Sequence, residues 1–256
     1  MAGSYAAAEP SGATAPCYHG PPMQLPNSHL RLNLGCGLQT HPSWVNVDGS
    51  WNARLAKRPL LRKLFAALGV LPPDKAGVPW SRDIFVADMR KPLPFATGSA
   101  DAVYASHLLE HLYREEGQQL MRESFRVLAP GGIIRIVVPD LQAIVQEYLG
   151  ERPFGELSDG AKQLAPGDLL NERFLMRWPS PQKRNVVMRV YEAMLDFHSH
   201  KWMYDEQSLS SLLRYVGFVD LARKTFGESA IPDITQVEDK SRILNGGGVC
   251  VEGRKP

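Results

Sequence analysis

The run Leu32-Asn33-Leu34-Gly35-Cys36-Gly37, followed by Val45-Asn46-Val47-Asp48, decides how the chain is read. A short apolar stretch ending in two glycines fits a strand that delivers its backbone into a tight loop, where missing side chains let a ligand lie against the main chain. The second stretch ends in Asp48, a carboxylate suited to pairing with the two hydroxyls of a ribose. Two adjacent strand ends and one acid predict the nucleoside end of an α/β sheet. A dinucleotide fits poorly. Thr40 stands where a third glycine is needed, Asp48 follows Gly35 by 13 residues where the fingerprint has its acid about 20 residues on, and Pro42 and Trp44 leave little room for a helix facing a pyrophosphate. A nucleoside without phosphate is expected.

Further along, Ile84 to Asp88 reads as a third strand ending in an acid, and Asp101 to Ala105 as a fourth, from which Ser106-His107-Leu108-Leu109-Glu110-His111-Leu112 departs. Gly117, Leu120, Met121, Ser124, Phe125 and Leu128 recur at helical spacing, so Arg114 to Leu128 should pack on the sheet. Pro130-Gly131-Gly132 should stop that helix before a buried fifth strand, Ile133 to Val138. Leu209, Leu212, Leu213 and Val216 mark the last helix, capped by Asp205 and ended by Gly217, and Val219 to Phe226 with Val249 to Glu252 should close an antiparallel hairpin. The link from Gly227 to Gly247 reads as irregular, its glycines 246–248 being a turn and not a phosphate loop.

Leu32 to Gly37 resembles the first motif of the class I S-adenosylmethionine-dependent methyltransferases of the type 11-like group, and the likeness runs from about residue 30 to the C-terminus. It implies a Rossmann-like α/β fold with a central, mostly parallel seven-stranded sheet, a C-terminal antiparallel hairpin and helical insertions. It also implies S-adenosylmethionine as cofactor, S-adenosylhomocysteine as product, and a site drawn from Asn33, Gly35, Cys36, Gly37, Asp48, Asp88, Met89, Ser106 and His107. In that resemblance Asp88 accepts from the adenine amino group, the backbone at Met89 reads the ring edge, and the segment around Leu109-Glu110-His111 lies beneath the transferable methyl group. The helix after the glycine loop is cut short between Leu38 and Ser43, a form similar to a bacterial subgroup linked to surface-glycan synthesis. The acceptor implied is a hydroxyl on a sugar or glycan intermediate.

The 256 residues, 44% hydrophobic, suffice for one domain over 29–256 with insertions at 51–82 and 140–204. Residues 1–28, rich in Ala, Gly, Pro and Ser, read as a flexible leader. A formal charge of +2 implies neither a nucleic-acid nor a membrane partner by itself, and Cys17, Cys36 and Cys250 fit a reducing compartment. With no run of 18 apolar residues and no signal-like start, a soluble cytoplasmic protein is expected. The first insert sets Leu55, Leu61, Leu64, Phe65 and Leu68 among Arg54, Lys57, Arg58, Arg62 and Lys63 and breaks near Pro59. A helix packed on the domain or in a lid is the plainer reading, and contact with an anionic membrane face or a lipid-linked substrate the sharper one.

The second insert is expected to hold helices around Leu169 to Arg177 and Arg184 to Phe197 and to recognise the acceptor. Arg173, Arg177, Trp178, Lys183 and Arg184 are its lid candidates. A hydroxyl acceptor needs a base, for which His107 comes first and His200 second, a hydrogen-bonded structural histidine being the plain alternative, above all for His111. His198, His200, His107 and His111 could converge on a metal, but two histidines two apart in a loop are weak grounds, and no metal is expected. An RNA methyltransferase, a methyltransferase of another small molecule and a non-catalytic S-adenosylmethionine-binding protein are the competing readings, with no RNA-binding module visible in the chain.

Overall fold

The computed structural model describes residues 30–68, 71, 77–153, 165–174, 199–244 and 248–256. Strands β1 (Leu30–Leu34), β2 (Val45–Asp48), β3 (Phe85–Val86), β4 (Ala100–Ser106), β5 (Leu128–Val138), β6 (Val219–Arg223) and β7 (Val249–Arg254) form one sheet in the order β3-β2-β1-β4-β5-β7-β6. The first five run parallel, and β7 pairs antiparallel with both β5 and β6. The chain moves outward from β1 to β3, then returns to β4 on the other side of β1. That reversal opens a crevice beyond the carboxyl ends of β1 and β4, where sheets of this kind bind ligands.

Burial follows the sequence pattern. Leu32, Leu34, Val47, Val103, Ile134, Ile136 and Val251 are closed off in one core together with Leu120, Met121 and Val127 of α3 (Arg114–Val127) and Leu209, Leu212 and Leu213 of α6 (Glu206–Val216). The α6 ends are set by side-chain and glycine chemistry. Asp205 Oδ1 accepts from Ser208 N at 2.7 Å, and Gly217 takes the left-handed φ of +116° that stops the helix.

The opposite face is covered differently. No helix follows β1, and Trp44, Tyr104, Val137 and Cys250 pack instead against Ile231, Ile234, Val237 and Ile243 from the link after β6. Among the described residues of that link, two single 3-10 turns form, Ile234–Gln236 and Lys240–Arg242. Arg135 of β5 holds it down: its guanidinium, fully buried, donates to Glu238 Oε1 at 2.7 Å, Glu252 Oε2 at 3.2 Å, and the carbonyls of Glu228 and Thr225 at 2.8 and 2.9 Å.

Three expectations shift in detail. The strand expected over 84–88 pairs only at Phe85 and Val86. Pro130-Gly131-Gly132 lies inside β5, because Leu128 already pairs with Ala100 and the ladder resumes at Ile133 after a register shift; the helix stops before the turn, at Val127. The first insert is two helices, α1 (Trp51–Ala56) and α2 (Pro59–Ala67), with Pro59 opening the second one and not kinking a single long one. In the second insert, α4 covers Leu141–Leu149, and α5 covers Pro166–Arg173 where a helix around Leu169 to Arg177 is expected. The leader 1–28, the helix over 184–197 and residues Arg177, Trp178, Lys183, Arg184 and His198 lie outside the described residues.

Candidate active site

A cavity of about 800 Å³ opens at the carboxyl ends of β1, β2 and β4, within the size range that takes a drug-sized ligand. Its floor is the glycine loop. Gly35 and Gly37 have φ of +65° and +53°, and a Cβ at Gly35 would meet Leu108 side-chain atoms at 3.0 Å. Asp48 closes one end of β2, with Oδ2 accepting from Gly37 N at 3.0 Å and Oδ1 from Ser50 N at 2.7 Å. These two bonds fix the carboxylate in place and leave a second lone pair on each oxygen for a ligand hydroxyl. No helix follows the glycine loop itself, so that loop presents no helix N-terminus to a phosphate. The remaining acceptor positions of Asp48 suit a ribose diol.

Other residues read from the sequence divide between lining and support. Met89 lines the cavity. Asp88 lines it too, but its carboxylate is gripped by the Arg90 guanidinium at 2.8 and 2.9 Å and accepts from Arg90 N, and the Arg90 hydrogen bond holds it below the usual carboxylate range. It combines the turn-capping role with whatever ligand bonds its remaining lone pairs make. Asn33 and Cys36 face elsewhere. Asn33 Nδ2 donates to Gln39 O at 2.7 Å and Asn46 Oδ1 at 3.1 Å, bracing the loop, and the Cys36 side chain is buried with Ala53 and Ile84. Ser106 is buried, and its carbonyl accepts from Arg242 Nη1 at 3.1 Å.

His107 follows β4 with φ of +52°, a backbone rarely adopted by a side-chain-bearing residue, and its N–H donates to Val137 O at 2.9 Å. Its ring lines the cavity with Nδ1 3.3 Å from Glu110 Oε1, while Nε2 is buried and has no hydrogen-bond partner among the described residues. Burial, with the Arg242 charge second, pushes its pKa down to about 4; burial does the same to His200. Both rings are therefore neutral at neutral pH. His200 reaches the cavity because Lys201 N and Trp202 N donate to Glu110 O at 2.7 and 3.2 Å, and Leu141 N to Tyr204 O.

Two participants escape a reading of the sequence. Arg242, from the link after β6, lines the cavity, although nothing in its local sequence marks it. Glu110 is fully buried in the 3-10 turn Leu109–His111, and burial raises its pKa to about 8. The signal available was an acid set inside the apolar run Leu108-Leu109-Glu110-His111-Leu112.

Residues 70–136, which include β3, β4, the Glu110 turn and most of β5, match the family described as Methyltransferase domain. That match takes in 67 of the 256 residues. The sheet order and the antiparallel hairpin are those of the Rossmann-like methyltransferase fold. The chain is similar to the S-adenosylmethionine-dependent methyltransferase SibL in its apo form at 18% identity over 90% of this chain and 51% of that one, TM-score 0.44. It is similar to a SAM-dependent methyltransferase from Archaeoglobus fulgidus at 14% identity, 90% and 87% coverage and TM-score 0.40. An O-methyltransferase family protein from Burkholderia thailandensis gives 14%, 90%, 51% and 0.42. The chain spans about half the length of the first and third of these proteins. No curated protein matches its sequence.

Proposed function

We propose that the protein transfers the methyl group of S-adenosylmethionine to a hydroxyl of a sugar or glycan intermediate of surface polysaccharide synthesis. The observation that carries the donor half is Asp48, held by Gly37 N and Ser50 N at the end of β2 beside the bare backbone of the glycine loop. When bound, S-adenosylmethionine supplies a methyl group on a sulfonium, displaced in line by the acceptor with a neutral thioether leaving. The chain then has to align the acceptor and exclude water. His107, neutral and at the end of β4, is placed to take the acceptor proton, with His200 across the cavity as the second candidate. The hydroxyl and sugar assignment rests on the shortened loop of residues 38–43, the form shared with the surface-glycan subgroup.

The test is transfer of labelled methyl from S-adenosylmethionine into fractionated extracts of the source organism, with Asp48→Ala as control. Label entering a glycan or nucleotide-sugar fraction with wild type and not with the variant supports the reading. Label in RNA, or donor binding without transfer to any fraction, overturns the acceptor assignment.

The first insert supports docking to an anionic, lipid-bearing surface as part of this function. No side chain of α2 is buried, and Leu60, Leu64 and the adjoining Leu68 form a stripe four residues apart that is 81%, 51% and 65% exposed, flanked by Lys57, Arg58 and Lys63. Among the described residues no helix is long and apolar enough to cross a membrane, so this contact would be peripheral. Co-sedimentation with anionic vesicles at low salt should capture wild type and lose the variant with all three leucines changed to Ser; equal pelleting of the two refutes it.

A further inference from the structure

Glu110 poses a problem that the methyl-transfer site does not solve. Its side chain is fully buried, yet neither carboxyl oxygen has a hydrogen-bond partner among the described residues. A buried carboxylate without a partner costs several kcal/mol, so such groups in folded proteins are paired, neutralised or bound to a cation. Imidazole nitrogens surround it. His107 Nδ1 lies 3.3 Å and His111 Nε2 3.9 Å from Oε1, and ligand atoms of Glu110, His111 and His200 all fall within 4.8 Å of one another.

The tautomers point the same way. His111 Nδ1 lies 3.3 Å from the carbonyl oxygen of Ser199, which can only accept, so Nδ1 carries the proton and Nε2, on the Glu110 side, carries the lone pair. A lone pair and a carboxylate oxygen turned toward each other repel unless a proton or a metal cation lies between them, and both atoms are donors that a metal ion accepts. A ring whose far nitrogen donates to a backbone carbonyl is also how metal-binding histidines are oriented. His200 completes the arrangement, its ring centroid 5.1 Å from that of His111 and its Nδ1 buried without a hydrogen-bond partner among the described residues.

We propose that Glu110, His111 and His200 form a binding site for a divalent transition-metal ion of the zinc type, in the wall of the methyltransferase cavity. Two imidazoles and one carboxylate are a common donor set for such ions, with one coordination position left open. Tetrahedral bonds of about 2.0–2.1 Å put ligand atoms roughly 3.3 Å apart, so the cluster, whose ligand atoms lie within 4.8 Å of one another, contracts by up to about 1.5 Å on binding. Because His111 and His200 also line the cavity, the open position faces ligand space and takes water or an oxygen of an entering molecule. The proposal reverses the expectation from sequence that no metal binds. It stands whether or not the protein transfers methyl groups.

The experiment uses the full chain, purified without a histidine tag, stripped with chelator and titrated with zinc alone. Wild type should retain about one zinc per chain after desalting, and cobalt in its place should give a visible absorption band. His200→Ala and Glu110→Gln, each checked for wild-type circular dichroism, should weaken zinc binding by about tenfold or more and lose the cobalt band. Zinc should raise the melting temperature of wild type and not that of either variant. Failure of the stripped wild type to retain zinc, or retention of one zinc per chain with an unchanged cobalt spectrum in both variants, overturns the site. Binding of S-adenosylmethionine, measured separately, decides the donor reading without reference to zinc.

Discussion

Replacing Arg135 with Met tests how the link after β6 is fastened to the sheet. Arg135 is fully buried between Glu238 and Glu252, which are 7% and 5% exposed, and it donates to both as well as to two carbonyls of the link. Methionine fills much of the volume but leaves two buried carboxylates facing each other without their cation, and two carbonyls without a donor. Breaking a buried pair from one side costs about 3–5 kcal/mol, and here the residual pair repels, so the upper end, about 4–5 kcal/mol, is expected. For a chain of this length that lowers the melting temperature by about 10 °C or more. Glu252→Gln should cost far less, about 1–2 kcal/mol, because a neutral Arg135–Glu238 pair remains. Urea denaturation of the two variants beside wild type measures both values. A loss below about 1 kcal/mol for Arg135→Met, or a larger loss for Glu252→Gln, would refute the view that this cation anchors the link.

Asp48→Ala removes an acceptor that is already held by two N–H groups; calorimetric titration should show S-adenosylmethionine affinity reduced by about 100-fold or more, the worth of two hydrogen bonds to a charged group, and a loss under about threefold would remove Asp48 from the donor site. Gly35→Ala puts a side chain at φ +65° and within 3.0 Å of Leu108, so stability should fall by about 1–2 kcal/mol and donor affinity with it; an unchanged denaturation curve would mean the loop is not strained. Burial pushes the Cys36 thiol up and that of Cys250 up to about 12, so near pH 8, where a free thiol reacts, the Cys17→Ser chain should resist a thiol reagent until denaturant is added. Fast labelling of the native chain would show that the glycine loop or β7 opens.

The crevice end of the sheet was legible because its geometry is local: Gly35 and Gly37 fix the loop, and Asp48 is three residues from where β2 begins. The core was legible for the same reason, since Leu209, Leu212 and Leu213 or Leu120 and Met121 announce a buried face by spacing alone. Asn33 and Cys36 sit in the same motif but support the loop from behind, a distinction set by which way a strand residue points relative to one crevice. Arg242 was invisible as a site group, and Glu110 was legible only as part of the segment that leaves β4, because their places depend on remote segments. Arg242 arrives only through the packing of Ile231, Ile234 and Val237 on the sheet, and Glu110 is sealed only when Lys201 and Trp202 bind its carbonyl.

The cover that replaces the missing helix also sets the order in which the molecule can be finished on the ribosome. Ser43 Oγ donates to Gln236 at 2.8 Å, Arg31 to the Pro232 carbonyl at 3.1 Å and Gln39 to Asp239 at 3.4 Å, so the glycine loop made early is tied to chain made near the end. Pairing of β5 waits for β7 in the same way. Closing such long loops is entropically costly and slow. Until the last strand emerges, the nascent sheet exposes Trp44, Tyr104 and Val137, and its ligand crevice lacks Arg242; this gives protein quality control a long interval in which to engage the chain before it can hold a nucleoside.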